Sequence, residues 1–115
     1  MTSSETKAIA KVKDCATMQD VRREVDALDD VLVPLLVERV GYMTQAARIK
    51  QGVEQVRDEA RIEAIVSRVR ERATAEGGDA DVIEAIYRSL MEVCIASEHR
   101  EFARLREPAL AGSAA

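Results

Sequence analysis

The sequence predicts an all-α protein: three helices, the first much the longest, assembled as an intertwined helical homodimer. Three observations carry this prediction. Aromatic residues make up 3% of the 115-residue chain, Trp is absent, and Gly and Pro number only five and two. A β-sandwich needs strand formers and frequent turn signals that this composition lacks. Apolar residues instead recur at alternating spacings of three and four, the helical period, and one such stripe is too long for a domain of this size to cover. A chain this short makes one domain. Residues 15–107 are read as that domain, with 1–14 and 108–115 as flexible ends.

Helix 1 opens at Thr17-Met18-Gln19-Asp20, a capping-box pattern in which the Thr hydroxyl and Asp carboxylate satisfy the first free amides. Its stripe runs Val21, Val25, Leu28, Leu32, Leu35, Arg39, Tyr42, Ala46 and Ile49. Pro34 lacks an amide and is expected to kink the helix, and Gly41 to relax it; Gly52 ends it, so the helix spans roughly 18–51. A short connection, Gly52 to Arg57, leads to helix 2 at about 58–76, with Ile62, Ile65, Val66, Val69 and Ala73 inward. Gly77-Gly78 stops helix 2, and Asp79 or Asp81 caps helix 3. Helix 3 runs from about 80 to 106 with Ile83, Ile86, Tyr87, Leu90, Met91, Cys94 and Phe102 inward, and Pro108 ends it.

Helix 1, at ~1.5 Å per residue, spans ~50 Å, whereas a compact domain of this size has a radius of gyration of ~13 Å. Helices 2 and 3 are too short to cover its whole stripe, and a second chain is the simplest cover. A bent helix 1 in a monomeric three-helix bundle is the alternative.

Seventeen Lys and Arg against 21 Asp and Glu give a net charge of −4, which excludes generic binding to nucleic acid or an anionic membrane. No apolar run is long enough for a signal peptide or a membrane span. Cys15 and Cys94 are read as free thiols in a reducing cytoplasm. With one histidine, His99, and no closely spaced cysteine pair, no metal site and no cofactor are expected; His99 is read as an exposed helix residue without a role.

The informative charges stand where apolar residues belong. Arg39 lies on the helix 1 stripe and needs an anion if buried. Lys50, eleven residues on, returns to within ~20° of the same face, ~16 Å along the axis. Arg22 sits about 100° around the helix from Arg39, so it does not easily join the same site within one chain but could reach the site of a dimer mate. Arg57 and Arg61 lie one turn apart and can share a face. Glu98 falls on the inner stripe of helix 3, where a carboxyl is either paired with an Arg or held neutral. Together these spacings point to a cationic pocket for a small anion with two acidic groups.

Val21-Arg22-x-x-Val25-Asp26-x-Leu28-Asp29, Leu35-Leu36-x-x-Arg39, Ala46-Ala47-x-x-Lys50 and Val56-Arg57-Asp58-x-x-Arg61 resemble the all-helical chorismate mutase family, which also contains isochorismate pyruvate lyases. The resemblance covers about residues 15–106 and implies an intertwined dimer. It implies that Arg39 and Lys50 hold one substrate carboxylate and the ether oxygen, and that Arg22 reaches the other carboxylate from the partner subunit. It makes Arg61 a further basic contact and Asp58 the residue meeting the ring hydroxyl. Glu98 falls where many members carry Gln beside the ether oxygen, and Cys94 one turn earlier, where some carry Ser.

Two departures touch substrate choice. Ile62 stands where several mutases have a Glu on the ring hydroxyl, and the lyases tend to be apolar there. The Lys50-to-Arg61 connection also has the shorter, lyase-like length, and Asp14-Cys15 and Tyr42…Ala46-Ala47-x-x-Lys50 look lyase-like, whereas Val56-Arg57-Asp58 is a mutase-like phrase. The expected activity is chorismate mutase, an isomerase converting chorismate to prephenate. Catalysis would rest on Arg39, Lys50 and Glu98, with Arg22, Asp58, Arg61, Cys94 and Ile62 binding substrate. The alternatives are an isochorismate pyruvate lyase, a mutase of the 4-amino analogue, or a non-catalytic helical dimerisation module.

Overall fold

A computed structural model describes residues 11–107 of the chain. The expectations for residues 1–10 and for 108–115, including Pro108 as the final stop, lie outside the described residues. Three α-helices make up the fold: α1 (Met18–Ile49), α2 (Glu59–Ala75) and α3 (Ala80–Leu105), with a short 3-10 turn, Val53–Gln55, between α1 and α2. The bounds agree with the sequence reading to within two residues. The 3-10 turn was not anticipated; three residues give no periodicity to detect.

The local signals act as their chemistry dictates. Thr17 and Asp20 form both arms of the capping box: Asp20 N–H donates to the Thr17 hydroxyl at 3.1 Å, and Thr17 N–H to the Asp20 carboxylate at 3.2 Å. The amides of Ala16 and Thr17 hold the Asp20 carboxyl below its ordinary range. α1 continues across Pro34, whose missing amide leaves the Asp30 carbonyl without its usual donor. α2 ends where Gly77 takes φ 78°, a conformation costly for any residue with a Cβ. The Gly78 amide then reaches back to Ala73 O at 2.8 Å. Asp79 caps α3, accepting from the amides of Asp81 and Val82.

α3 packs on both other helices, while α1 and α2 scarcely meet. Contacts between α1 and α3 climb together, Arg39 with Cys94, Thr44 with Glu101 and Ala47 with Arg106, so these helices run parallel. Contacts between α2 and α3 run in opposition, Glu63 with Arg88 and Arg70 with Asp81, so they form an antiparallel hairpin. Two apolar clusters result. Ile62, Ile65, Val66, Val69 and Met91 join α2 to α3, and Ala47, Val56 and Phe102 join the end of α1 to α3. Ile95 packs on both.

Among the described residues the first half of α1 has no such partner. Before Leu36 only Asp20 and Glu24 are even half-buried, and Leu28 is 67% exposed. The radius of gyration is 19.1 Å and the long dimension 62 Å, far beyond the ~13 Å radius of a compact chain. The stripe also needs correcting near its end. Tyr42 and Ile49 are exposed, whereas Met43 and Ala47 face α3. About 60–80° to one side of Arg39 lie Tyr42 and Ile49, and about 40–80° to the other lie Met43 and Ala47; α3 covers the second flank. Ile86, expected inward, is exposed because it lies about 140° from Met91 around α3.

Candidate active site

Between the two apolar clusters lies a cavity of about 360 Å³, at the small end of the range for ligand sites. α1 supplies Arg39, Met43, Ala46 and Lys50 to its wall. Their spacing of four, three and four residues keeps all of them within ~40° of one face. The first turns of α2 supply Asp58, Arg61, Ile62 and Ile65, and α3 supplies Met91, Cys94, Ile95 and Glu98. Val56, just before α2, closes the lining.

Glu98 is the one charged side chain buried among the described residues, 3% exposed, so it requires a partner. Its Oε2 accepts from Lys50 Nζ at 2.6 Å, and the same ammonium donates to Val56 O at 3.2 Å. An ammonium has three donors; with two engaged, one is left for a ligand. Arg39 donates from Nη1 to Cys94 Sγ at 3.5 Å and lies 5.7 Å from the Tyr87 ring centroid. These neutral neighbours orient the guanidinium without neutralising it. Asp58 is the N-cap of α2, accepting from Arg61 N–H at 3.0 Å. Among the described residues neither Arg39 nor Arg61 forms an ion pair. Three cations therefore face two carboxylates around one small volume.

Seven of the eight residues expected at the site line this cavity: Arg39, Lys50, Asp58, Arg61, Ile62, Cys94 and Glu98. Arg22 does not. It is exposed on the unpartnered half of α1, ~26 Å along the axis from Arg39. Arg57 and Arg61 do not share a task, because Arg57 precedes the helix and forms a bidentate pair with Glu92 at 3.0 and 2.9 Å. That pair holds the Glu92 carboxyl below its ordinary range. Glu98 is paired with Lys50 rather than with an arginine, and His99 is exposed as expected. Sequence reasoning missed Met43, Ile65, Met91 and Ile95 as lining residues and Val56 as the lysine's acceptor. The first four were legible as neighbours at i+3, i+4 or i−3 of polar residues already singled out; a backbone acceptor leaves no such mark.

The chorismate mutase type II family is matched over residues 21–99. A similar protein is the isochorismate pyruvate lyase of Pseudomonas aeruginosa, 25% identical over 94 residues, which cover 82% of this chain and 93% of that protein. No helix among the described residues is long and apolar enough to cross a membrane.

Proposed function

This chain belongs to the chorismate mutase type II family, and from that premise we propose that it rearranges chorismate to prephenate in a site completed by a second copy. The supporting observation is the convergence of Arg39, Lys50 and Arg61 on one small cavity around the buried Glu98. Arg39, Lys50 and Arg61 outnumber the carboxyl groups of Glu98 and Asp58 around the cavity. Arg22 from a partner subunit would add a cation for the second carboxylate. The apolar stripe exposed on the half of α1 that carries Arg22 supports such a partner, since extended exposed apolar patches are rare on monomers.

The rearrangement breaks the ether C–O bond while a C–C bond forms within one molecule, and it needs no nucleophile or external proton. The protein's task is to hold the enolpyruvyl arm over the ring and to stabilise charge developing on the ether oxygen. Arg39 binds a carboxylate, and Lys50 spends its third donor on the ether oxygen. Glu98 can donate to that oxygen only when protonated, because an ionised carboxylate only accepts. Asp58 faces the ring hydroxyl, while Cys94 and Ile62 shape the wall.

A second reading, pyruvate release from isochorismate, is favoured by one feature. Ile62 puts an apolar side chain on the wall, where a carboxylate contact to the ring hydroxyl is expected of several mutases. The named relative is itself such a lyase. The test presents chorismate and isochorismate separately to the purified protein, following prephenate in one and salicylate with pyruvate in the other. Prephenate formation well above lyase turnover is the expected result. Efficient salicylate release with poor prephenate formation moves the chain to the lyase reading, and inactivity on both overturns the two together.

A further inference from the structure

Resting on the reading of Lys50 as the donor to the ether oxygen, we propose that Arg106 is a positioning residue that holds the lysine's main chain. α1 ends at Ile49, and Lys50 is its C-cap, with an extended backbone at φ −62° and ψ 141°. The last carbonyls of a helix have no partner within it. Here they find one 56 residues away: Arg106 donates to Lys50 O through Nη2 and to Ala47 O through Nη1 at 2.9 Å.

Arg106 is itself anchored. Its Nη1 also donates to Phe102 O at 3.3 Å, and its guanidinium carbon lies 3.6 Å from the Phe102 ring centroid. Phe102 in turn packs with Ala47, which is wholly buried, and with Val56, whose carbonyl takes the lysine ammonium. α3 thus grips Lys50 at both ends, Arg106 on the carbonyl and Glu98 on the ammonium. A planar guanidinium with five donors can bridge two carbonyls while stacked on a ring, and an ammonium cannot. Fixing the lysine at two points sets where its remaining donor aims. A misplacement of ~1 Å at such a donor costs ~10²-fold in rate.

The test compares wild-type, Arg106→Ala and Arg106→Lys full-length protein. It reads kcat and KM on both substrates, the thermal midpoint, and the 15N resonance of the Lys50 ammonium. The expected result is a kcat lowered ~10-fold or more in Arg106→Ala with KM within about twofold. Partial recovery is expected in Arg106→Lys, with a shifted or broadened ammonium signal in Arg106→Ala. A lower thermal midpoint with unchanged kcat and an unchanged Lys50 signal overturns the proposal and leaves Arg106 a stabilising cap. Should Arg106→Ala not fold, Arg106→Lys carries the same comparison. If wild-type protein turns over neither substrate, the functional reading fails, and the Lys50 resonance alone then decides whether Arg106 positions it.

Discussion

Lys50 and Glu98 meet at 2.6 Å although 48 residues separate them, joining the end of α1 to the buried face of α3 inside the cavity. The pair brings an ammonium donor and a buried carboxyl to one point of the cavity wall.

The first consequence concerns the Glu98 proton. Glu98 donates only in its protonated form, so turnover by this route needs that proton in place. Glu98→Gln, which donates at every pH, should be free of that requirement. A pH–rate curve of kcat for the two proteins decides this, and identical profiles would remove Glu98 from the reaction.

On the proposed reading, charge stabilisation falls to Arg39 and Lys50. Replacing either by Met should lower kcat/KM by ~10²-fold or more. Lys50→Met should also destabilise the fold, because Glu98 is then buried without its cation. Losing a partner costs ~3–5 kcal/mol in a fully buried pair, and less is expected here since the Lys50 side chain keeps 26% of its surface exposed. Denaturant melts beside steady-state kinetics separate the two effects; near-normal turnover in either variant would exclude that residue from the site.

Arg22 gives a test of shared sites. If each cavity borrows Arg22 from the other copy, Arg22→Ala and Arg39→Ala are each nearly inactive. Their random mixture should regain about a quarter of wild-type activity, because half the dimers are mixed and each restores one site of two. Subunit exchange followed by an assay measures this. No regain, together with a monomeric mass in sedimentation, would leave Arg22 outside the reaction.

The hairpin of α2 and α3 has its own pH signature. Arg88, then Arg70, hold the Glu84 carboxyl below its ordinary range, and Arg88 does the same to Glu63. A depressed carboxyl contributes stability above its unfolded value, and that contribution is lost as pH falls through the folded value. Acid unfolding should therefore steepen below the usual Glu range of ~4.3, and added salt should weaken the effect at these exposed pairs. Glu84→Gln should blunt the loss in acid titrations followed by circular dichroism; an unchanged acid transition would show that these pairs contribute nothing measurable.

Much of this fold is legible in the sequence. Helix bounds follow from Thr17, Asp58, Gly77 and Asp79, whose capping and turn chemistry acts within one or two turns of chain. Arg39 and Glu98 announced themselves as charges on apolar stripes. Less legible was anything that depends on which neighbour presses on which flank. Tyr42 and Ile49 belong to the stripe by period, yet α3 lies against Met43 and Ala47 instead. Arg57 looked like a mate for Arg61 and turned out to clasp Glu92 across the hairpin.

The three helices, their ends, and the set of charges that a buried anion would need follow from capping, periodicity and burial cost, which are local or one-dimensional properties. The pairing of Glu98 with Lys50, and the hold of Val56 and Arg106 on that lysine, come from how the helices pack. Those are choices among partners 48 and 56 residues away or, for Val56, of a backbone acceptor six residues on that leaves no mark in the sequence. They are settled by how parallel α1 and antiparallel α2 are laid against α3.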